Sequence, residues 1–240
     1  MSEWNIFVNY FFKQGGYLIV VNGLIATLII AIFGLIFGFI IGSIIAVIKV
    51  TPSYKKAVQI PKKICDFYVL IFRGTPMVVQ LLIIHFVLFP ILGISFSNIR
   101  LTKSLYIQGE VFEAIIAFAL NSGAYISEIM RGGINSVNKG QLEAGRALGL
   151  SYPITMVKVV IPQAFKNVLP TLGNEFITLV KETSVVSFIA VIDLTKAFQT
   201  ISASKYIVIT PYLVLGLVYL FLVILISLLV KHVEKKLKTA

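Results

Sequence analysis

Between Lys13 and Lys49 the chain carries no charged residue. An α-helix needs about 20 apolar residues to cross the hydrocarbon core of a bilayer. The stretch is therefore long enough for one tilted span, entering near Tyr17 and leaving near Ile48. It is too long for the apolar core of a secretion signal and lacks a small-residue cleavage pattern. Composition points the same way. Of the 240 residues, 58% are hydrophobic and 13% charged, against roughly 25% charged in soluble domains. A soluble enzyme is not expected on that ground. The net charge of +11 suits nucleic acid or a membrane surface. A mean hydropathy of +0.96 decides for the lipid bilayer, with no nucleic-acid partner expected. One cysteine, Cys65, and two distant histidines, His85 and His232, give no metal-binding spacing.

Four further apolar runs follow, near 67–92, 111–130, 171–192 and 207–230. The economical reading is an all-α membrane protein with five transmembrane helices in one domain spanning residues 1–240. Lysine and arginine mark the cytoplasmic side. The loop between spans one and two, the loop 131–166 between spans three and four, and the C-terminal tail together hold fourteen of them, including Lys55 and Lys56. The opposite side holds five: Lys13, Arg100, Lys103, Lys196 and Lys205. The N-terminus is thus expected outside and the C-terminus in the cytoplasm. Thr51–Lys63, with two prolines and several lysines, reads as a short cytoplasmic connector. The aromatic-rich first dozen residues fit either an interfacial segment or a frayed end. Gly34, Gly38 and Gly42 recur every four residues, a spacing that lets helices approach closely.

The chain has no phosphate-binding loop of the G-x-x-x-x-G-K-[ST] type, and no hydrolase or zinc-protease motif. Work against a gradient would have to draw on a partner or an ion.

The loop between spans three and four is the most informative stretch. Gln141 to Leu148 makes two turns of helix, and Gly149 suits the C′ position, where positive φ is needed. Ser151 is placed to cap a second short helix with Pro153 in its first turn. Glu143, Ala144 and Ala147 share one face. Such a face suits the groove of a partner or packing against the chain's own spans.

This loop resembles the EAA loop of ABC importer permeases: Glu143, Ala144, Gly145, then Gly149, then Val159, Ile161 and Pro162 at the family spacing. Gly145 departs from the usual alanine. Arg73-Gly74-Thr75-Pro76 with Gln80 resembles the RGTP motif of the polar amino-acid permeases of that family. Ala124–Ile129 with Arg131–Ile134, and Lys181-Glu182-Thr183-Ser184 with Asp193-Leu194, resemble further blocks of the same branch. The resemblance implies that 141–162 is a coupling segment docking into a separate ATPase. Glu143, Ala144, Gly145, Ala147 and Gly149 would then form the contact. It also implies two ATPase copies that carry ATP and magnesium, and a second permease subunit, identical or paralogous. An external amino-acid-binding protein completes the set, in a bacterial cytoplasmic membrane. This chain would bind no cofactor or metal and would have no catalytic residue.

In span four, Thr171, Asn174, Glu175, Thr178, Lys181 and Glu182 fall on one helical face. A charge at mid-bilayer costs at least ~2.5–3.5 kcal/mol and so faces a cavity or a partner. For Asn174, Glu175, Thr178 and Glu182 the expectation is a substrate pathway, joined by Gln80 in span two and Asn121 and Tyr125 in span three. Lys181 and Glu182 also fit an internal ion pair. Glu128 is expected to pair with Arg131, His85 to be a core histidine, and Arg73 to meet a headgroup or loop. An acid on the pathway face suits a polar, and more narrowly a basic, amino acid. The rivals are an ion-coupled secondary transporter using Glu175 or Glu182, and a structural membrane subunit.

Overall fold

The computed structural model describes residues 2–52, 56–100 and 106–238. Within the expected connector Thr51–Lys63, residues 53–55 lie outside those described, as does Lys103. In chain order the helices are α1 (Glu3–Val8, prolonged by a wide turn to Lys13), α2 (Gly16–Val50), α3 (Lys56–Gly74), α4 (Met77–Ile83) and α5 (Phe89–Leu92). A two-stranded ribbon follows, β1 (Ile99–Arg100) against β2 (Tyr106–Ile107). Then come α6 (Glu110–Ser136), α7 (Lys139–Ala147), α8 (Tyr152–Thr155), α9 (Ile161–Glu182), α10 (Leu194–Lys205) and α11 (Ile209–Lys238).

Among the described residues two helices are long and apolar enough to cross a membrane, Gly16–Val50 and Ile209–Lys236. The expected span 67–92 is not one helix. Gln59–Gly74 and Met77–Leu92 meet at 109°, and the two halves count as a third candidate only if taken together. Pro76 explains the break. It lacks an N–H and biases Thr75 away from helical geometry, so the first half stops at Gly74 and the second starts at Met77. The expected span 171–192 is also displaced. The helix runs Ile161–Glu182, with Pro162 in its first turn, and tightens into a 3₁₀ segment to Ile189. Because α6 reaches Ser136 and α9 starts at Ile161, the loop expected at 131–166 narrows to 137–160.

Helix α6 is the centre of the molecule. Its principal partner is α2, and the glycine stripe of α2 is the reason. A Cβ at Gly38 would stand 2.7 Å from the Ser122 hydroxyl, and one at Gly42 2.8 Å from the Gly123 carbonyl oxygen. Only a bare backbone allows that approach. Around this seam lie two apolar clusters. One joins Ile30, Phe118, Leu179 and Val186; the other joins Ala46, Ile126, Met130 and Ala164. A third holds the N-terminal helix, where Phe7 is buried and stacks on Phe198 of α10. The Glu3 carboxylate accepts from the backbone N–H groups of Val208 and Thr210 at the start of α11. The first residues are therefore a packed helix and not a frayed end.

Candidate functional site

The break between α3 and α4 frees carbonyls that a continuous helix would use. Three side chains meet them. Thr75 Oγ1 donates to the Ile71 carbonyl at 2.8 Å. Gln80 Nε2 donates to the carbonyls of Phe72 (2.8 Å) and Thr75 (2.9 Å). Asn121 Nδ2 donates to Gln80 Oε1 at 2.9 Å and to the Phe72 carbonyl at 3.3 Å. Gln80 and Asn121 are both buried. In this structure their amides brace the break. The signal for this was in the sequence, since a proline inside an apolar run ends a helix just before it.

One turn along α6 from Asn121, Tyr125 lies at the surface of a pocket of about 450 Å³ lined also by Asp66, Val69, Leu70, Arg73 and Gly74. The Arg73 guanidinium stands over the Tyr125 ring, 5.4 Å from its centroid. The ring is a partner that the sequence did not show for Arg73. Beside the pocket runs an ion chain. Lys49 Nζ bridges Asp66 (2.8 Å) and Glu128 (2.7 Å), and Glu128 accepts from Arg131 at 2.6 Å. The Glu128–Arg131 pair matches expectation; the tie from Glu128 to α2 does not follow from hydropathy. Nor does the pair His85 Nδ1–Glu113 Oε2 at 2.5 Å, which links the segment after α4 to the start of α6.

On α9 the stripe is set against a buried apolar face of Leu172, Leu179 and Val180. Asn174 and Lys181 are exposed, while Glu175, Thr178 and Glu182 are half-buried. The Glu175 carboxylate lies near Ser122 of α6 and near Glu182, two turns on. Among the described residues no salt bridge joins Lys181 to Glu182, and no hydrogen bond joins this stripe to Gln80, Asn121 or Tyr125.

The third region is α7. Asn138 caps it, its side chain accepting from Gly140 N–H at 2.8 Å. At the other end Gly149 has φ +82°, its N–H donates to the Arg146 carbonyl, and Leu150 N–H donates to the Gly145 carbonyl. That is the Schellman closure that a C′ glycine permits. Ser151 precedes α8 as expected, but its side chain makes no cap bond. Glu143, Ala144, Ala147 and Gly149 are exposed. Gly145 is not: it is buried on Thr155, whose Cγ2 would be 2.5 Å from a Cβ there. The departure from alanine thus lets α7 pack on α8, and Gly145 belongs to the inner face, not the contact face. Leu148 is missing from the expected set, yet it is 82% exposed beside Ala147.

Residues 38–239 match the family model of the binding-protein-dependent transport system inner membrane component. The chain belongs to this family, in its amino-acid ABC importer branch. It is 41% identical over 176 residues to the arginine transport system permease protein ArtQ of Bacillus subtilis, covering 73% of this chain and 75% of that one. The putative glutamine transport system permease protein GlnP of Rickettsia bellii is 40% identical over 220 residues, 92% of this chain and 93% of that one. The solved structure of an amino acid ABC transporter with histidines superposes with a TM-score of 0.75 at 34% identity, covering 91% and 94% of the two chains. The inward-facing MetNI methionine transporter shares the fold, with a TM-score of 0.74 at 21% identity. As a permease subunit the chain is not an enzyme. The family works with an ATPase, which uses the ATP, and with a substrate-binding protein.

Proposed function

We propose that this permease imports polar amino acids, basic ones among them, across the cytoplasmic membrane. It spans the bilayer five times, with the N-terminus outside and α7 in the cytoplasm. The fourteen-to-five distribution of Lys and Arg supports that orientation. Two permease subunits, the second identical or paralogous, carry two ATPase copies on the cytoplasmic side. A binding protein delivers the amino acid from outside. Closure of the ATPases on ATP pulls the loop 141–162 through Glu143, Ala144, Ala147 and Gly149. The two subunits then open their shared cavity to one side and then the other. The exposure of those four residues supports the docking role.

The observation that carries the substrate class is the half-buried pair Glu175 and Glu182 on the open face of α9. Two carboxylates at membrane depth without a salt-bridge partner favour a cationic passenger, and Asn174 and Thr178 beside them suit its polar groups. Tyr125 completes the set from α6. The test is uptake of an amino-acid panel into proteoliposomes holding this chain with its ATPase and binding protein. Glu175→Gln should lower uptake of arginine and lysine about tenfold relative to glutamine, about 1.4 kcal/mol of discrimination. Equal uptake of basic and acidic amino acids by the unaltered complex would overturn the basic preference.

A further inference from the structure

We propose that the pocket between α3 and α6 is a station for the substrate's carboxylate, held by the Arg73 guanidinium beside Tyr125. The inference rests on the amino-acid import reading above.

The first argument is the contact itself. The Arg73 guanidinium is exposed and stands over the Tyr125 ring, 5.4 Å from its centroid, on the wall of the pocket. A cationic side chain on the surface of a membrane bundle requires a partner.

The second argument is that the partner is missing from the chain itself. Among the described residues Arg73 makes no salt bridge. The acids nearby are already neutralised: Asp66 by Lys49, and Glu128 by both Lys49 and Arg131. Around the pocket Lys49, Arg73 and Arg131 outnumber Asp66 and Glu128, so the excess charge is positive and it sits on Arg73. The broken helix does not compete for it, because its freed carbonyls are met by Thr75, Gln80 and Asn121.

The third argument is fit. The open groove holds about 450 Å³, room for one amino acid on its Arg73 wall. A guanidinium offers a planar fork of donors that matches a carboxylate in two parallel bonds. The Tyr125 ring holds that fork from one side by its π face, leaving the donor edge for the ligand. Asp66 lies seven residues before Arg73, two turns along α3, with a side chain 60% exposed. Its Oδ1 is held by Lys49, so it does not take the Arg73 charge away from a ligand.

The test uses the assembled importer in proteoliposomes, with arginine, glutamine and histidine as probes. Arg73→Ala should raise the KM for uptake or lower its maximal rate by about 10–100-fold, the loss expected for a charge-assisted hydrogen bond pair. The ATPase should still co-purify in equal stoichiometry, which shows that the permease is folded and assembled. Arg73→Lys keeps the charge without the fork and should recover part of the loss. A lipid phosphate would use the same chemistry, so each variant is run in phosphatidylcholine alone and with phosphatidylglycerol. Loss of uptake in both lipids supports the substrate carboxylate; loss confined to the anionic lipid assigns Arg73 to a headgroup and overturns the proposal. Unchanged uptake by Arg73→Ala overturns it while leaving amino-acid import standing. Failure of the unaltered complex to take up any of the probes, by contrast, removes the import reading and this inference with it.

Discussion

Helix α6 presents two faces that could hardly be built more differently. Towards α2 it meets a stripe of glycine, and the contact is closed by the absence of side chains, with Gly38 on Ser122 and Gly42 on Gly123 and Ile126. Towards α3 and α4 it meets a broken helix, and the contact is made of hydrogen bonds and charges: Asn121 with Gln80, Tyr125 with Arg73, Glu128 with Lys49 and Arg131. The first face holds the bundle and offers no chemistry. The second spends its amides on keeping a bend open, and beside that bend it leaves a pocket and a cation. Rigidity on one side of the same helix is what allows an irregular, polar opening on the other.

Four changes test that contrast, in order of falling effect. Gly42→Leu places a branched side chain where even a Cβ is 2.8 Å from backbone. Overpacking of this kind costs typically 1–3 kcal/mol and occasionally more, and here the neighbour is a carbonyl that cannot turn away. The permease should be lost from the monodisperse peak in size-exclusion chromatography; a normal peak would mean the α2 seam is not closed. Gln80→Leu strips the Thr75 carbonyl of its donor and leaves the Phe72 carbonyl to Asn121 Nδ2 alone, at 3.3 Å. Each unpaired group costs about 1–3 kcal/mol, so the melting temperature should fall and amide exchange should rise around residues 71–77. Exchange that stays flat there would show that the bend does not depend on the amides.

Glu128→Gln sharpens the comparison further. It removes the charge between Lys49 and Arg131 while Asp66 still holds Lys49. Interhelical polar contacts in membranes are worth roughly 0.6–2 kcal/mol, and a double-mutant cycle with Lys49→Met should return a coupling in that range. A coupling of zero would reduce the ion chain to decoration. The smallest effect lies off α6. Backbone N–H groups of Thr210 and Val208 hold the Glu3 carboxyl below its ordinary value of 4.5. Because that value is lowered on folding, the contribution is present above pH 4.5 and is lost as the pH falls through the folded value. The stability difference between the unaltered chain and Glu3→Gln should therefore shrink in acid; a difference that grows in acid would contradict the cap.

The sequence made some of this plain and hid the rest for physical reasons. Helix α7 and its positive-φ glycine followed from local rules, because Gly149 acts on its immediate neighbours; the Asn138 cap, three residues before the expected start at Gln141, did not. The glycine stripe was equally legible, since its period is the helix's own. The bend at Gly74–Pro76 was overrun by hydropathy, which averages over a window and does not see one missing N–H. Arg73 on Tyr125, Lys49 on Glu128 and His85 on Glu113 join positions 52, 79 and 28 residues apart; no local pattern encodes such pairs. Gly145 was counted in the contact because the residue it packs on, Thr155, lies beyond the turn.

The most direct test of the account is ATP-driven amino-acid uptake into proteoliposomes by the assembled complex, comparing the unaltered chain with Ala147→Asp. Ala147 is exposed, away from the buried Gly145–Thr155 contact, so the substitution changes the docking face and leaves the packing of α7 alone. The account predicts uptake that requires ATP, that disappears in the variant, and that disappears together with co-purification of the ATPase. Uptake that persists in Ala147→Asp without ATP and follows a sodium or proton gradient would contradict it.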